Sequence, residues 1–473
     1  MDKKFYVTAA IPYVNSLPHV GHVLEFVQAD VIARHHKLLG EEVLLLSGGD
    51  ENALKNVQAA EKAGVPIQRF VDENTQKFLE LTKKLGCQFD VWQKSSDQKT
   101  HFPSSQKLWK LCEKDIYKKK YKGLYCVGCE IFYEKEELSK NGECFEHPGK
   151  KLDEVEEENY FFSLSKYQDK LIELIESDKL QIVPQERKNE VLAFLKSGLQ
   201  DISISRSVER ARGWGVPVPG DFRQIEYVWV DALNIYQSGI GFGWNEEKYN
   251  KWWPADVHVI GKGIIRFHAV YWPAFLLSAG LKLPKKIFVH GYYTVNGQKM
   301  SKTIGNVYDP VPLLEKYRAD PLRYYCLAKT PPFTDGDFSE EKFVEAYNAD
   351  LANGLGNLVA RVAKLCERTS PHPSALSAQF PDKIKSSLDG FRFDEALKTI
   401  WGRISELDQA VEKDQPWRLG GEKLEKVLER YVEKIRQIAY ALQPFLPETA
   451  EKILKQFRGP EIKSAAPLFP RIK

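Results

Sequence analysis

The motif His19-Val20-Gly21-His22 places two imidazoles where a proline-containing loop leads into a predicted helix. The N-terminus of a helix has free N–H groups and the positive end of its dipole, so phosphate is favoured there. Imidazole N–H groups at this point can donate hydrogen bonds to charge that develops on a phosphorus centre. Taken alone, two histidines at this spacing are more often explained by packing or helix capping.

The motif Lys299-Met300-Ser301-Lys302-Thr303 follows a turn-like stretch past the middle of the chain. A basic loop beside a sheet can fold over a triphosphate and neutralise its charge. For an isolated match of five residues, a surface turn with two solvated lysines is the alternative. The two motifs occur in this order at the edges of two halves of one predicted sheet domain, and together they indicate chemistry on a nucleotide.

A third group of residues has the spacing of metal ligands. Cys126 and Cys129 are followed by Cys144 and His147, and two residues separate the members of each pair. Three thiols and an imidazole suit a closed tetrahedral zinc site, and because no ligand position is left open, the predicted zinc is structural. The other four cysteines of the seven are scattered, which is typical of buried thiols and not of a disulfide framework.

The first motif lies within a predicted strand–helix–strand unit. Residues 4–11 are predicted to form a buried strand, and residues 21–39 carry apolar side chains at helical spacing. Gly40 ends that helix, and a second buried strand begins with the apolar run at 43–46. Such a βαβ unit opens a doubly wound, parallel α/β sheet of the Rossmann type.

A second stretch of the same character begins near Tyr227. Three strands are predicted there, at residues 227–230, 257–260 and 287–289, and one helix is predicted at residues 266–279. The region between the two stretches holds the cysteine cluster and an acidic run. The simplest interpretation is one sheet domain, formed by residues 1–115 and 222–325, with an insertion at 116–221.

The chain is predicted to be helical from residue 346 to residue 473. Apolar side chains at helical spacing form one stripe there, at Leu355, Leu358, Val359, Val362 and Leu365. Further helices are predicted at 393–412, 421–442 and 447–457. This part is slightly basic, which suits contact with phosphate, although a solvated helix surface has the same composition.

The bulk composition excludes several classes of protein. The 473 residues are too many for one compact core, so several domains are expected. The mean hydropathy of −0.42 and the absence of a long apolar run argue against a membrane span. The N-terminus has no secretory signal, which predicts a cytoplasmic protein, with an organellar protein that has lost its transit peptide as the alternative.

The paired motifs resemble the signature of class I aminoacyl-tRNA synthetases, which usually reads His-Ile-Gly-His and Lys-Met-Ser-Lys-Ser. Three further sequence segments, at residues 10–15, 227–233 and 266–273, resemble those of the methionyl-tRNA synthetases within that class. The resemblance extends over nearly the whole chain. It implies activation of L-methionine by ATP, with Mg²⁺, and transfer of the methionyl group to tRNA(Met).

The resemblance also implies a set of methionine-binding residues. Asp50 would bind the ammonium group, and the side-chain slot would be lined by Ile11, Tyr13, Trp229, Ala232, Tyr236, Ile264 and His268. An apolar, aromatic slot suits a thioether, and a carboxylate suits an ammonium group. Without the flanking match, Trp229 and Tyr236 would be interpreted as ordinary core aromatics.

Several residues are implied to handle ATP. His19, His22 and Lys302 would stabilise the transition state at the α-phosphate, and Lys299 would assist. Arg206 matches a family arginine that supports activation, with a structural salt bridge as the alternative. The backbone at Gly261 and Gly263 would approach the ATP ribose.

The chain departs from the family pattern at two places. Gly263 stands where the family often has an aspartate that holds the ribose, so that contact is in doubt. The run from Gly48 to Ala53 reads Gly-Gly-Asp-Glu-Asn-Ala where the family usually has Gly-Thr-Asp-Glu-His-Gly. Asn52 therefore replaces a histidine.

The C-terminal part is implied to read the tRNA. Residues 326–345 would contact the stem, and residues 346–473 would form an all-α anticodon-binding domain. Asn357, Arg361 and Trp417 match the family's anticodon-reading residues, since unpaired bases are recognised by stacking and by hydrogen bonds to their edges. For Trp417, packing against its own helix is the alternative. One structural zinc and a monomer are expected.

Two other functions stay open from the residues alone. A class I synthetase for leucine, isoleucine, valine or cysteine is the nearest, although the insertion is short for an editing domain and residues 1–86 contain no cysteine. A non-catalytic RNA-binding relative would be favoured if Lys302 or the histidine pair were missing, and both are present.

Overall fold

The computed structural model describes residues 3–128, 131–133, 137–145, 149–300, 306–369, 371–372, 379–459 and 461–472. The chain divides into two compact units. The first unit comprises Met1–Pro18, Glu41–Glu80 and Phe89–Val289, and the second comprises His19–Gly40, Leu81–Gln88 and His290–Lys473.

The strands of the described residues number sixteen. In chain order they are β1 Lys4–Ala9, β2 Glu42–Gly49, β3 Val91–Lys94, β4 Ile116–Cys126, β5 Ile131–Tyr133, β6 Asp153–Phe162, β7 Gln181–Val183, β8 Ile202–Ser203, β9 Ser205–Ser207, β10 Pro217–Val218, β11 Asp221–Glu226, β12 Val257–Gly261, β13 Lys286–His290, β14 Tyr293–Val295, β15 Gln298–Lys299 and β16 Gly336–Phe338.

Seventeen α-helices are present in the same part of the chain. They are α1 Val20–Leu38, α2 Leu54–Ala63, α3 Ile67–Lys84, α4 His101–Cys112, α5 Gln168–Glu176, α6 Gln185–Lys196, α7 Val228–Ser238, α8 Glu246–Trp252, α9 Trp272–Ser278, α10 Val311–Tyr317, α11 Ala319–Ala328, α12 Glu340–Ala346, α13 Asn357–Cys366, α14 Asp382–Asp389, α15 Phe393–Asp414, α16 Gly421–Leu442 and α17 Pro447–Gln456. Two π-helical segments, Phe267–Tyr271 and Tyr347–Gly356, lead directly into α9 and α13.

A six-stranded sheet with the order β3-β2-β1-β12-β13-β7 forms the centre of the first unit. Strand β1 pairs in parallel with both β2 and β12. The chain therefore winds outward from β1 in both directions, as expected for a doubly wound sheet. In such sheets, ligands bind beyond the carboxyl ends of the strands where the order reverses. The segments that follow β1, β2 and β12 hold Ile11, Tyr13, Asp50, Gly263 and Ile264 of the predicted site.

The sequence 227–230 was predicted as a strand, and this prediction is wrong. The run belongs to α7, which starts at Val228, and every residue of α7 is buried. A helix that is buried all round shows no alternation of apolar and polar residues, so its hydrophobicity resembles that of a buried strand. The strands predicted at 257–260 and 287–289 correspond to β12 and β13.

The predicted insertion at 116–221 contains an antiparallel sheet with the order β5-β4-β6-β8. The acidic run at 153–158 lies in β6 and pairs with the lysine-rich β4, with Lys120 opposite Glu158 and Lys122 opposite Glu156. Opposite charges across an antiparallel pair stabilise it modestly. The charge pattern of this region therefore has a local structural explanation.

In the second unit, the predicted C-terminal helices correspond closely to α15, α16 and α17. Leu355, Leu358, Val359 and Val362 of the predicted apolar stripe are buried, and Leu365 is half-buried. Within the described residues, none of the helices combines the length and apolar character needed to cross a membrane.

Candidate active site

The carboxyl ends of β1 and β2 bring Tyr13 and Asp50 side by side. The two residues form an isolated parallel β-bridge, and the Asp50 N–H donates to the Pro12 carbonyl at 2.9 Å. The Asn56 amide donates to the Asp50 carbonyl at 2.8 Å and fixes the same turn. Asp50 is buried, so its carboxylate has a defined place in a water-poor environment.

Helix α7 contributes three of the predicted pocket residues. Trp229, Ala232 and Tyr236 follow one another at spacings of three and four residues, so they lie on one face of the helix. The Trp229 ring lies edge-on to Tyr13, with 6.4 Å between the ring centroids. Ile11 packs against the same hydrophobic core.

Phe267, which was not among the predicted site residues, adds a further aromatic ring beside Trp229. Its ring stacks on Trp229 with 3.6 Å between centroids and 6° between ring planes. Among the described residues, the buried Trp229 Nε1 has no hydrogen-bond partner. Phe267 belongs to the string 266–273 that carried the resemblance, and its place beside His268 was an available signal.

A hydrogen-bonded chain sets the tautomer of His268. Its Nδ1 lies 3.0 Å from the carbonyl oxygen of Ile264, and because a carbonyl only accepts, Nδ1 carries the proton. Nε2 then accepts from the Tyr236 hydroxyl at 2.8 Å. Burial lowers the pKa of His268 to about 4, and the bond to the Ile264 carbonyl opposes this only in part. His268, one of the residues predicted to line the methionine slot, is therefore a neutral imidazole at pH 7.

His258 on β12 was not predicted as part of the site. Its ring lies 4.5 Å from Tyr236, and its Nδ1 lies 2.6 Å from the Thr8 hydroxyl. Burial, together with the nearby His268, lowers the pKa of His258 well below its usual value. A histidine inside the apolar run 257–260 was the signal that could have identified it.

The glycines predicted to approach ribose lie at the carboxyl end of β12. Gly261 is the last residue of the strand and is buried, whereas Gly263 is exposed in a short 3₁₀ turn, Lys262–Ile264. Ile264 closes that turn and is half-buried. The strand β12 neighbours β1, so this backbone lies at the reversal point of the sheet order.

Arg206 lies on β9 with its guanidinium buried among aromatic rings. It donates to the Tyr125 hydroxyl at 3.1 and 3.3 Å and lies over the Tyr227 ring at 4.4 Å. The unpredicted Arg210 lies over the same Tyr125 ring at 4.1 Å and pairs with Glu157 at 3.5 Å. Burial and the neighbouring Arg206 both lower the pKa of Arg210. The region therefore concentrates positive charge in a poorly solvated place.

In the second unit, the first motif caps α1. His19 Nδ1 accepts from the Gly21 N–H at 3.1 Å, and His22 Nδ1 accepts from the His19 N–H at 3.0 Å. Each Nδ1 is thus an acceptor, and the proton of each imidazole sits on Nε2. The capping role is compatible with the predicted role towards phosphate. The capping bonds hold both rings at a helix N-terminus with the proton on Nε2, which can then donate.

The second motif meets the start of α1 through Met300. A side chain at Gly21 would approach the Met300 methyl group at 3.2 Å, so a larger residue at that position would require Met300 to shift. Further along, the Val20 N–H donates to the Tyr308 carbonyl at 3.1 Å. Lys302 lies outside the described residues, and so does the side chain of Lys299, whose backbone ends β15.

Two of the four predicted zinc ligands lie in the described part of the chain. Cys126 ends β4, and its sulfur is 3.3 Å from that of Cys144; both are buried. Cys129 and His147 lie outside the described residues. Within the part of the chain that is described, no three metal-ligating side chains come together.

The predicted anticodon residues lie in the helical part of the second unit. Asn357 is the exposed first residue of α13, and Arg361 is one turn further along. Arg361 pairs with Asp408 at 3.0 Å and with Glu412 at 2.6 Å. Trp417 lies in a 3₁₀ turn between α15 and α16, and 44% of it is exposed. Two of the three residues thus present polar or aromatic surface to solvent.

Comparison with known proteins identifies relatives along the full chain. A family model described as tRNA synthetases class I (M) matches residues 5–363. A methionine–tRNA ligase of Thermotoga maritima is 42% identical, over 96% of this chain and 75% of that protein. A methionine–tRNA ligase of Brucella suis is 39% identical, over 99% of this chain and 98% of that protein.

The fold is shared with solved structures. Mycobacterium tuberculosis methionyl-tRNA synthetase in complex with methionyl-adenylate superimposes with a TM-score of 0.91 and 36% identity, over 99% of this chain and all of that one. The apo form of the same enzyme gives a TM-score of 0.84 and 33% identity, over all of this chain and 99% of the other.

Proposed function

The chain belongs to the methionine–tRNA ligase family of class I tRNA synthetases, and we propose that it charges tRNA(Met) with methionine. In the first step, a carboxylate oxygen of L-methionine attacks the α-phosphorus of ATP and pyrophosphate leaves, which gives methionyl-adenylate. In the second, a ribose hydroxyl at the 3′ end of tRNA attacks the methionyl carbonyl and AMP leaves. Mg²⁺ accompanies ATP, as it does in phosphoryl-transfer enzymes.

The cluster of aromatic rings around Trp229 in the first unit is the observation that best supports this proposal. Trp229, Phe267 and Tyr13 offer ring faces and edges, against which a thioether gains a modest contact energy. The neutral His268 adds no positive charge to the slot, whereas Lys55 places its ammonium group 3.0 Å from the centroid of the Tyr13 ring. Buried Asp50 provides the one anionic partner that an amino acid's ammonium group needs.

The two signature motifs supply positioning and charge stabilisation. The Nε2–H groups of His19 and His22 donate to the α-phosphate as charge develops there. Lys302 neutralises the phosphates, and Lys299 assists it. The backbone at Gly261 and Gly263 approaches the ribose, and Arg206 adds positive charge that favours activation.

The cysteine cluster holds one structural zinc in this proposal. Cys126 and Cys144 place their sulfurs 3.3 Å apart, and a shift to the roughly 3.8 Å separation of two thiolates on one tetrahedral zinc would let both bind the same ion. Cys129 and His147 complete the set. The ion stabilises the insertion and enters no chemical step. A purified sample should contain one zinc per chain, and zinc absent from folded, active protein would contradict this assignment.

The remaining layout follows the family. Residues 1–115 and 222–325 form the catalytic domain, 116–221 the connective insertion, 326–345 the stem-contact segment and 346–473 the anticodon-binding domain. Asn357, Arg361 and Trp417 read the anticodon, which requires Arg361 to leave its two carboxylate partners. The enzyme acts as a cytoplasmic monomer.

Methionine-dependent exchange of radioactive pyrophosphate into ATP tests the proposal directly. We expect exchange with methionine to exceed that with leucine, isoleucine, valine and cysteine, because one missing group in a hydrophobic pocket costs 10- to 200-fold in specificity, as an order of magnitude. A folded preparation without methionine-dependent exchange would overturn the enzyme assignment. Preference for another of the four amino acids would overturn the substrate.

A further inference from the structure

A second buried polar cluster lies behind the methionine pocket and touches none of the reacting groups assigned above. Its members are the side chains of Asn52, His101, Asp231 and Ser238 and the backbone of Ser95, all in the first unit. The four side chains are at least nine-tenths buried. Buried polar groups at this density need a reason, because each is costly unless it is bonded.

Asn52 uses both protons of its amide inside this cluster. Nδ2 donates to Asp231 Oδ2 at 2.7 Å and to the Ser95 carbonyl at 2.8 Å. The backbone N–H groups of Glu51 and Asn52 also donate to the Ser95 hydroxyl, at 2.8 and 3.2 Å. The turn that begins with Asp50 is thus held by three bonds to Ser95 and by one bond to a charged acceptor, Asp231, on α7.

Asp231 is the residue that joins the two parts of the pocket. It lies on α7 beside Ala232, between Trp229 and Tyr236, and it is 1% exposed. Its other carboxylate oxygen accepts from His101 Nε2. His101 Nδ1 lies 2.7 Å from the hydroxyl of Ser238, the last residue of α7. A carboxylate with these two donors fixes both the rotation and the depth of α7.

We propose that Asn52 is a positioning residue, which acts through Asp231 to set the distance between the ammonium-binding turn and the side-chain-binding face of α7. Asn52 stands where the family usually has a histidine, and an imidazole N–H can occupy the same donor position. The inference rests on the proposed function, because it assigns a role in binding methionine and not in the chemical step.

The experiment compares KM for methionine with KM for ATP and kcat in pyrophosphate exchange. Asn52→Ala leaves one oxygen of the buried Asp231 without its donor, and we expect KM for methionine to rise about tenfold. KM for ATP and kcat should change by less than about twofold. The variant loses an interaction that supports methionine binding equally in the ground state and in the transition state. Asn52→His should restore KM for methionine to within about twofold of the wild-type value.

Ser104→Ala is the matched control for a merely structural effect. Ser104 on α4 accepts from the Asn234 amide of α7 at 2.8 Å, and both residues are buried, but this bond does not reach the Asp50 turn. The control should lower the melting temperature while KM for methionine stays unchanged. Equal rises of KM in the Ser104→Ala and Asn52→Ala variants would overturn the proposal.

Asp231→Asn provides a second route if Asn52→Ala does not fold. This change keeps the volume of the side chain but leaves one acceptor oxygen beside an amide NH₂. With the oxygen towards Asn52, the NH₂ donates to His101 Nε2, and the imidazole proton moves to Nδ1. The acceptor of Asn52 is then neutral instead of charged, so KM for methionine should rise by a smaller factor, about fivefold. An unchanged KM for methionine, in a wild-type background that shows methionine-dependent exchange, would overturn the positioning role alone. A wild-type protein without such exchange would overturn both assignments.

Discussion

Two pairs of histidines in this molecule have the same side chain and opposite surroundings. His258 and His268, in the first unit, are fully enclosed, and their ring nitrogens bond to Thr8, Ile264 and Tyr236. His19 and His22, in the second unit, are half-buried at the start of α1, and their Nδ1 atoms accept from backbone N–H groups. Burial makes the first pair neutral, and capping makes the second pair donors.

The two pairs suit different roles: the buried pair suits recognition of the methionine side chain, and the half-buried pair suits the chemical step. A buried imidazole whose pKa is low contributes shape and a fixed tautomer but no charge, which suits the binding of an apolar side chain. A half-buried imidazole whose Nδ1 accepts from the backbone carries its proton on Nε2, and it lies at the end of a helix where a phosphate would be favoured. Changes in the first pair should affect stability and methionine affinity, and changes in the second pair should affect rate.

The largest effect is expected from His22→Ala. Loss of a donor that stabilises transition-state charge typically lowers the rate about 10²- to 10³-fold, and kcat for pyrophosphate exchange should fall accordingly. The lost cap should cost only about 1 kcal/mol of stability. His36→Ala, in the last turn of the same helix, is the control and should retain the wild-type rate. A loss of less than tenfold in His22→Ala would contradict the assigned role.

The buried pair should contribute to the dependence of stability on pH, together with His35, whose pKa is also lowered by burial to about 4. The pKa of His268 is about 4 in the folded protein and 6.5 when unperturbed, so the unfolded chain binds more protons between these values. The contribution of His268 to the free energy of unfolding is therefore fully present above pH 6.5. It falls by about 3 kcal/mol as the pH approaches 4. Denaturant titrations across this range should show a shallower dependence for His268→Gln and an unchanged one for His19→Ala.

Asp50→Asn tests whether the pocket recognises charge as well as shape. The bonds between a carboxylate and an ammonium group contribute about 1.5 to 3 kcal/mol, so KM for methionine should rise about 10- to 150-fold. Glu51→Gln is the control, since its buried carboxyl already accepts from Thr75 at 2.5 Å and from Ser96. A similar rise in both variants would show that the ammonium contact is not specific to Asp50.

The smallest effect is expected from Tyr236→Phe, which removes the donor to His268 Nε2. The free energy of unfolding should fall by about 1 kcal/mol, and KM for methionine should rise a few-fold as the imidazole loses its orientation. Tyr249→Phe removes a comparable buried bond, at 2.8 Å to Gln237, outside the pocket. That control should lose similar stability without any change in KM, and a matching rise would argue against a role for the Tyr236 hydroxyl.

The placement of several candidate residues could be predicted because they lie in short segments next to predicted strands. The run from Ala10 to Asn15 and the turn at Asp50 follow predicted strands, and the sheet order places them together. The segment 227–230 could not be assigned, since a helix buried on every side has the hydrophobicity of a buried strand. Phe267 and His258 were missed because their roles depend on neighbours from other elements.

The sequence by itself determined which groups are available: two imidazoles at a helix start, a basic loop, one carboxylate in a turn and a set of aromatics. The tertiary structure decided their states. His268 is neutral with its proton on Nδ1 because α7 and the Ile264 turn enclose it, and Asn52 bonds to Asp231 across 179 positions of chain. Protonation and orientation depend on burial and on hydrogen-bond partners, and these exist only once distant segments pack together.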